Sequence, residues 1–250
     1  MPWKNLLLPL LTHLVVCFAY AQVDEFPTSK GTLYIHPVYH GSLWMEWDNR
    51  KIAIDPYGGI ERYAAMGRPD LVFITDIHGD HMDSSTLVKM DLSGTIIIAP
   101  QAVKDRISTY LPSTTRIEVI GNGGKSSFKG VDVLALPMYN LPDTPGVRHP
   151  KGRGNGYVLN LGGKQVYISG DTEDIPEMRA LKGIDIAFVC MNKPYTMDIN
   201  QASSAVLAFQ PKVVYPFHFR QPGGFSDVEA FRKMVNDGNK DIEVKLRQWY

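Results

Sequence analysis

The stretch LVFITDIHGDHMD, from Leu71 to Asp83, decides how this sequence is interpreted. An apolar, β-branched run that is typical of a buried strand passes directly into a polar loop. Within six positions the loop carries four candidate metal ligands, which are Asp76, His78, Asp80 and His81. Imidazole and carboxylate groups together suit zinc, manganese or iron, so the loop predicts a metal centre at a strand end.

Two later segments place candidate ligands in the same way, directly after an apolar run. Asp171 follows the strand-like segment at 164–170, and His218 follows the run KVVYPF at 212–217. Taken singly, Asp171 is equally well explained as a helix cap, and His218 as a hydrogen-bonded strand end. Taken together with the loop, they predict one or two divalent ions held between several strand ends.

Strand signals recur along the chain, whereas helix signals are few. Short apolar or alternating runs predict strands at 32–38, 42–48, 51–57, 71–75, 95–100, 115–120, 131–137, 156–162, 164–170, 185–190, 212–218 and 242–246. Helices are predicted at 101–110, from a cap at Asp198 through Phe209, and from a cap at Ser226 through Val235. This pattern predicts an α/β fold of two sheets packed face to face with the helices outside.

The N-terminal residues are typical of a secretory signal peptide. Lys4 precedes an apolar run from Leu6 to Phe18, and Ala19-Tyr20-Ala21 forms an A-x-A cleavage signal. We therefore expect a signal peptide at 1–21 and one exported domain at 22–250, in the periplasm or outside the cell. A membrane anchor needs about 20 apolar residues and this run is shorter, so stable membrane insertion is not expected after cleavage. A retained anchor and lipidation at Cys17 are the alternatives.

The bulk composition narrows the class of partner. The 26 basic and 26 acidic residues balance, which argues against a nucleic-acid partner that is bound through counterion release. A small-molecule substrate is expected instead, and the sequence does not give the oligomeric state. After cleavage, Cys190 is the remaining cysteine, and its apolar surroundings predict a buried small side chain rather than a nucleophile.

The order of these motifs resembles that of the metallo-β-lactamase-fold hydrolases over essentially all of residues 22–250. The chain is most similar to the branch that includes L-ascorbate-6-phosphate lactonase-like proteins. The family loop H-x-H-x-D-H stands here as D-I-H-G-D-H, and the family's G-D-T stands as Gly170-Asp171-Thr172. His218 ends a matching V-x-P-x-H strand, and His40 begins an opening segment that resembles this branch. The resemblance implies a four-layer αββα sandwich whose two sheets are mixed or mostly antiparallel.

The resemblance also implies a set of metal ligands. Asp80, His81 and His218 would bind one ion, Asp171 would bridge, and His78 would belong to a second ion. A divalent ion is implied as the cofactor, with zinc expected first and manganese as the alternative, in one or two copies.

The sequence departs from the family at the second ion. Asp76 stands where the family has its first histidine, and Asn140 stands where many members have a third. His149 is a candidate substitute ligand. Oxygen donors at Asp76 and Asn140 would lower the preference of this site for zinc and favour manganese or magnesium. A mononuclear centre is the competing expectation.

We therefore expect an exported metal-dependent hydrolase in which a metal-activated water attacks a small ester, lactone or phosphodiester. Asp80 and Asp171 are the predicted catalytic residues. His40 and Tyr139 are further candidates for contact with the metal or the substrate. The alternative is a non-catalytic descendant that binds a metal or a ligand without turnover.

Overall fold

The structure is a computed structural model, and it describes residues 22–250. The predicted signal peptide at 1–21 and Cys17 therefore lie outside the described residues. Within residues 22–250, no helix is long and apolar enough to cross a membrane.

The first sheet follows the order of the sequence. Its seven strands are β1 (Asp24–Thr28), β2 (Gly31–Tyr39), β3 (Ser42–Trp47), β4 (Arg50–Ile54), β5 (Leu71–Phe73), β6 (Ile96–Ala99) and β7 (Arg116–Val119). The pairs from β1 to β4 are antiparallel, and the pairs from β4 to β7 are parallel. The sheet is therefore mixed, as predicted.

The second sheet repeats this arrangement. Its strand order is β16 (Glu243–Val244), β13 (Val213–Phe217), β12 (Ile186–Cys190), β11 (Lys164–Ile168), β10 (Gly154–Leu161), β9 (Val131–Met138) and β8 (Lys125–Phe128). The pairs from β8 to β11 are antiparallel, and the pairs from β11 to β16 are parallel. A two-stranded hairpin of β14 (Arg220–Gln221) and β15 (Gly224–Phe225) stands apart from both sheets.

The two sheets pack face to face, and the helices cover their outer faces. On β5, Leu71 and Phe73 join the core between the sheets, whereas Val72 joins a separate core on the outer face. Side chains on a strand alternate between its two faces, which produces this split. The outer core lies under α1 (Ser84–Leu87) and α2 (Gln101–Ile107). The predicted αββα sandwich is confirmed.

The remaining helices are α3 (Pro176–Arg179), α4 (Ile199–Phe209) and α5 (Val228–Gly238), and a 3-10 helix spans Ile60–Tyr63. Asp198 caps α4 as predicted, through a capping box with Gln201. The predicted cap at Ser226 is wrong, because Asp227 accepts the hydrogen bond from the Ala230 amide. Ser226 instead donates to the carbonyl of Met191. The predicted helix at 101–110 ends earlier, at Ile107.

Cys190 ends β12 inside the core between the sheets. Its side chain is fully buried, and burial raises the pKa of the thiol to about 11. The prediction of a buried small side chain is confirmed.

Candidate metal centre

The candidate ligands lie where parallel strands end. Asp76 and the histidine loop follow β5, Asp171 follows β11, and His218 directly follows β13. Both sheets direct these strand ends to one edge of the sandwich, because His81 contacts Asp171 and Asp80 contacts His218 across the two sheets. Three residues at this edge have backbone φ angles that side chains seldom adopt, namely His40 (58°), Asp55 (44°) and His218 (48°). Such conformations cost free energy and concentrate at functional sites.

A first group of ligands surrounds one point between the sheets. Nε2 of His81 lies 3.3 Å from Oδ2 of Asp171, and Nε2 of His218 lies 3.5 Å from Oδ1 of Asp171. The same His218 atom lies 3.4 Å from Oδ2 of Asp80. The predicted ligands Asp80, His81, Asp171 and His218 are thus brought together.

These separations fit a bound divalent ion. Ligand atoms about 2.1 Å from a tetrahedral zinc ion lie about 3.4 Å from one another. Nε2 of His81, Oδ1 of Asp171 and Nε2 of His218 are buried and have no hydrogen-bond partner among residues 22–250. Buried polar atoms normally have a partner, because an unpaired one costs roughly 1–3 kcal/mol. A shared metal ion would satisfy all three atoms at once.

A second group adjoins the first through Asp171. Nε2 of His149 lies 3.2 Å from Oδ2 of Asp171 and 3.2 Å from Nδ1 of His78. Nδ1 of His78 lies 2.8 Å from Oδ2 of Asp76. Asp171 therefore lies between the two groups, in the place where a bridging carboxylate would lie. The structure also brings Asp76, His78 and His149 together as a set of donors that could hold an ion.

Asp76 has a further partner that the sequence did not indicate. Arg153 donates from Nε to Oδ1 of Asp76 at 3.0 Å and from Nη2 to Oδ2 at 2.9 Å. The Asp76 side chain is fully buried. Any ion at the second group would have to share this carboxylate with the guanidinium.

Asn140 positions a ligand rather than presenting its own oxygen. Its Oδ1 accepts a hydrogen bond from the amide of His149 at 2.8 Å and lies 3.1 Å from Nδ1 of the same residue. Its Nδ2 donates to Glu173 and to the carbonyl of Tyr195. A donor role for Nδ1 of His149 leaves Nε2 as the atom that can bind a metal. The asparagine and His149 therefore act together at the position where, by the resemblance, many family members have a third histidine.

Asp55 orients His81 as Asn140 orients His149. The sequence analysis did not identify Asp55 as a functional residue. Its Oδ2 lies 2.8 Å from Nδ1 of His81 and accepts a hydrogen bond from the Thr75 hydroxyl. The Thr75 amide donates to the other carboxylate oxygen. A carboxylate that holds the second nitrogen of a metal-ligating histidine fixes the ring and increases its basicity. The position of Asp55, at the end of β4 beside β5, is the signal that could have found it.

His40 lies at the edge of the first group, whereas Tyr139 does not join it. Nε2 of His40 lies 3.1 Å from Oδ2 of Asp80, and its Nδ1 lies 2.8 Å from the hydroxyl of Tyr250. Burial lowers the pKa of His40 to about 4. The Tyr139 hydroxyl donates to Glu177 instead, and its ring lies under the Lys151 ammonium group.

The electrostatics of the first group favour a cation. Burial alone would raise the pKa of Asp171, but the imidazoles of His218 and His81 hold it well below its ordinary value. Burial alone would lower the pKa of His81, yet the carboxylates of Asp171, Asp55 and Asp80 raise it well above its ordinary value. The carboxylates of Asp171 and Asp80, whose pKa values are both lowered, therefore face a small volume and attract positive charge to it, either as protons on imidazoles or as a metal ion.

Glycine allows two close approaches at this edge. A Cβ atom on Gly41 would lie 2.8 Å from Cδ2 of His218, so the chain after His40 packs directly on the His218 ring. Gly170 has a φ of 61°, and a Cβ there would contact the sulfur of Met138 at 2.8 Å. Both positions help to place the ligand next to them.

A cavity of about 320 Å³ opens onto the first group, and Asp80, Asp171 and His40 lie in its wall. Four larger clefts, of about 870, 620, 480 and 460 Å³, lie elsewhere and contain none of the ligand candidates. Because this cavity opens onto the ligand cluster, it is the candidate substrate site.

Comparison with known proteins places the chain in a family. The sequence profile of the "Beta-lactamase superfamily domain" matches residues 34–218, which is well over half of the chain. The chain belongs to the beta-lactamase superfamily. A relative from Thermococcus kodakarensis, named a metal-dependent hydrolase, is 31% identical over 208 residues, which cover 79% of this chain and 90% of the relative. A metal-dependent hydrolase of Pyrococcus abyssi is 29% identical over 221 residues, covering 82% and 93%.

Solved structures confirm the metallo-β-lactamase fold of this superfamily member. A Parabacteroides distasonis protein, described as a proposed metal-dependent hydrolase, is 37% identical, with a TM-score of 0.78 over 92% of this chain and 100% of that one. A metallo hydrolase from Ignicoccus hospitalis is 25% identical, with a TM-score of 0.72 over 86% and 94%. The closer likeness to the L-ascorbate-6-phosphate lactonase branch stays a prediction.

Proposed function

We propose that this beta-lactamase superfamily member is an exported metal-dependent hydrolase that cleaves a small ester, lactone or phosphodiester. The observation that carries the proposal is the set of buried, unpaired ligand atoms on His81, Asp171 and His218. Their separations fit one divalent ion, and Asp171 also faces His149 in the second group. The names of the relatives support metal-dependent hydrolysis as the reaction class.

The residues of the chain prepare the site for this reaction. When bound, a divalent ion lowers the pKa of a water molecule and stabilises the negative charge that develops on the attacked group. Asp55 turns Nε2 of His81 toward the site, and Asn140 does the same for Nε2 of His149. The Asp80 side chain is 30% exposed at the cavity, so its carboxylate can accept a hydrogen bond from the attacking water.

The proposed ion at the first group is zinc, because two imidazoles and two carboxylates meet there. At the second group, the carboxylate of Asp76 makes manganese a competitor. Metal content per chain, measured by elemental analysis on protein that lacks residues 1–21 and has been loaded with zinc or manganese, tests this. We expect two equivalents. One equivalent that is lost in His218→Ala would mean a mononuclear centre.

The same measurement tests whether metal binding depends on the candidate ligands. His36→Ala is the matched control, because His36 lies in β2 and belongs to neither ligand group. This variant should keep its metal, whereas His81→Ala and His218→Ala should lose it. Failure of the unmodified chain to retain any metal would overturn the hydrolase proposal. His149→Ala with unchanged metal content would exclude His149 as a ligand.

Turnover is tested with a panel of lactones, carboxylic esters and phosphodiesters. We expect a chelator and the Asp171→Ala variant to abolish hydrolysis, with Asp132→Ala as a control at an exposed position of β9. Metal retention without turnover on any of these substrates would favour the binding protein.

Export is tested by cell fractionation and N-terminal sequencing of the full chain expressed in a bacterial host. The proposal expects a product outside the cytoplasm that begins at Gln22. A product that begins at Met1, or at a lipid-modified Cys17, would contradict cleavage after Ala21.

A further inference from the structure

Two arginines line the mouth of the cavity that opens onto the ligand cluster. The lining residues include Arg148 and Arg220, and both side chains are exposed to solvent. Arg148 directly precedes the candidate ligand His149, and Arg220 lies two residues after His218. The same backbone segments that place these two histidines therefore place the arginines beside the site.

Neither arginine is used in an ion pair. Among residues 22–250, no carboxylate lies within 4.0 Å of the guanidinium of Arg148 or Arg220. The two carboxylates of the cavity wall, Asp80 and Asp171, instead face histidines. The arginines are therefore not explained as counterions of the ligand cluster.

Aromatic side chains hold both arginines at the mouth. The guanidinium carbon of Arg148 lies 4.6 Å from the centre of the Tyr195 ring. Arg220 lies 5.7 Å from the centre of the Tyr250 ring, and its Nη1 donates to the Tyr39 hydroxyl at 3.3 Å. Stacking on aromatic rings restrains a guanidinium and leaves its edge free to donate hydrogen bonds to an anion.

The segments that carry these side chains are tied to the ligand cluster. Nδ2 of Asn140 donates to the carbonyl of Tyr195 at 2.8 Å, while its Oδ1 accepts from the amide of His149. The backbone amide of Arg220 donates to the hydroxyl of Tyr250, which also contacts His40. The spacing between the arginines and the metal ligands is therefore fixed by hydrogen bonds.

Binding of a divalent metal ion would change the net charge of the cavity. Two carboxylates in the wall balance the two arginines, and a divalent ion at the carboxylates would leave the cavity positive. Asn192 also lines the cavity, and because its Oδ1 accepts from Thr196, the group that it can offer to a ligand is its amide nitrogen. Guanidinium groups and an amide donor recognise carboxylate or phosphoryl oxygens.

We propose that Arg148 and Arg220 select a small anionic substrate, which carries a carboxylate or phosphoryl group apart from the bond that is cleaved. The inference rests on the proposed function, because it names the substrate class of the same site. The volume of about 320 Å³ lies at the lower end of ligand pockets and suits a small polar molecule.

Anion binding tests the proposal without any turnover. The probes are acetate, succinate and phosphonoacetate, titrated by calorimetry into the zinc-loaded full chain. Acetate can reach the metal ion alone, whereas the other two carry a second anionic group for the arginines. We expect succinate or phosphonoacetate to bind at least about 10-fold more tightly than acetate. The tighter of the two identifies carboxylate or phosphoryl as the preferred group.

Arg148→Gln and Arg220→Gln should remove this preference and leave acetate affinity unchanged. Arg106→Gln is the matched control, since Arg106 is exposed on α2 and has no carboxylate partner within 4.0 Å among the described residues. Equal binding of the three probes, or a preference that survives both cavity variants, would overturn the proposal.

The outcomes separate this inference from the proposed function. Arginine-dependent binding of the dianions by a protein that hydrolyses nothing would support the anion site and count against the hydrolase. Metal-dependent turnover of neutral esters, unaffected by Arg148→Gln and Arg220→Gln, would keep the hydrolase and overturn the anion site.

Discussion

Arg153 donates two hydrogen bonds to Asp76, one to each oxygen of a fully buried carboxylate, at 3.0 and 2.9 Å. By the resemblance to the metallo-β-lactamase-fold hydrolases, Asp76 stands where their H-x-H-x-D-H loop has its first histidine. Without a partner, the Arg153 guanidinium would repel a metal ion or a protonated histidine beside it. The carboxylate of Asp76 neutralises the charge of the guanidinium. The pair explains why an aspartate fits at position 76, and it leaves Oδ2 shared between Arg153 and His78.

The Asp76–Arg153 pair should be strongly coupled in stability. Arg153→Met leaves a buried carboxylate without its cation and should lower the free energy of unfolding by about 3–5 kcal/mol. Asp76→Asn combined with Arg153→Met should cost clearly less than the sum of the two single changes. Urea unfolding in the presence of a chelator measures all four proteins. Additive costs, within about 0.5 kcal/mol, would show that the pair contributes no coupling.

Asp55 should control metal affinity through His81. Asp55→Asn removes the carboxylate that holds Nδ1 of His81, and we expect zinc affinity to fall by about 10–100-fold. Competition with a chromophoric chelator measures this affinity. Asp70→Asn is the control, because Asp70 accepts a hydrogen bond from the Lys51 amide at the opposite end of the same strands. Equal losses of affinity in both variants would mean a general effect on stability.

Asp24 should make part of the stability depend on pH. Burial would raise the pKa of this carboxyl, but hydrogen bonds from Arg247 and the charge of Lys245 bring it below the ordinary value of 3.8. A lowered pKa in the folded state stabilises the protein above the unfolded-state pKa, and this contribution is lost as pH falls through the folded-state value. Asp24→Asn should therefore cost about 1–3 kcal/mol at pH 7, with the cost shrinking below about pH 4.

Unfolding curves between pH 2.5 and 7, with a chelator present throughout, measure this difference. Asp132→Asn is the control, since Asp132 is exposed on β9 and has no ion-pair partner among the described residues. A cost of Asp24→Asn that stays constant down to pH 2.5 would contradict the assignment.

Cys190 should be inert in the folded protein. With a pKa of about 11, only about 0.1% of the thiol is ionised at pH 8, and the side chain is fully buried. Labelling of the Cys190 peptide by a thiol reagent, followed by mass spectrometry, should be at least about 100-fold slower in native protein than in urea. Rapid labelling without denaturant would contradict the burial of this residue.

The strand pattern and the position of the ligands were predictable from the sequence. Strands are recognisable from local alternation or apolar runs. Asp171 and His218 closely follow such runs, and Asp80 and His81 lie in the loop after the run that ends at Thr75. Edge strands were harder to recognise. In β8, three of four residues are exposed and polar, so the sequence carried no apolar signal for it.

The partners of these ligands were decided by the tertiary structure. Arg153 is 77 residues from Asp76, and Asp55 is 26 residues from His81, and no local pattern links such pairs. Asn140 was predicted as a candidate ligand, but the fold places His149 against it, so that the amide orients the imidazole. Local sequence signals were enough to predict which residues reach this edge of the sandwich, because strand ends are encoded locally. The packing of two sheets determined which side chains meet there, because those contacts join segments that are distant in the chain.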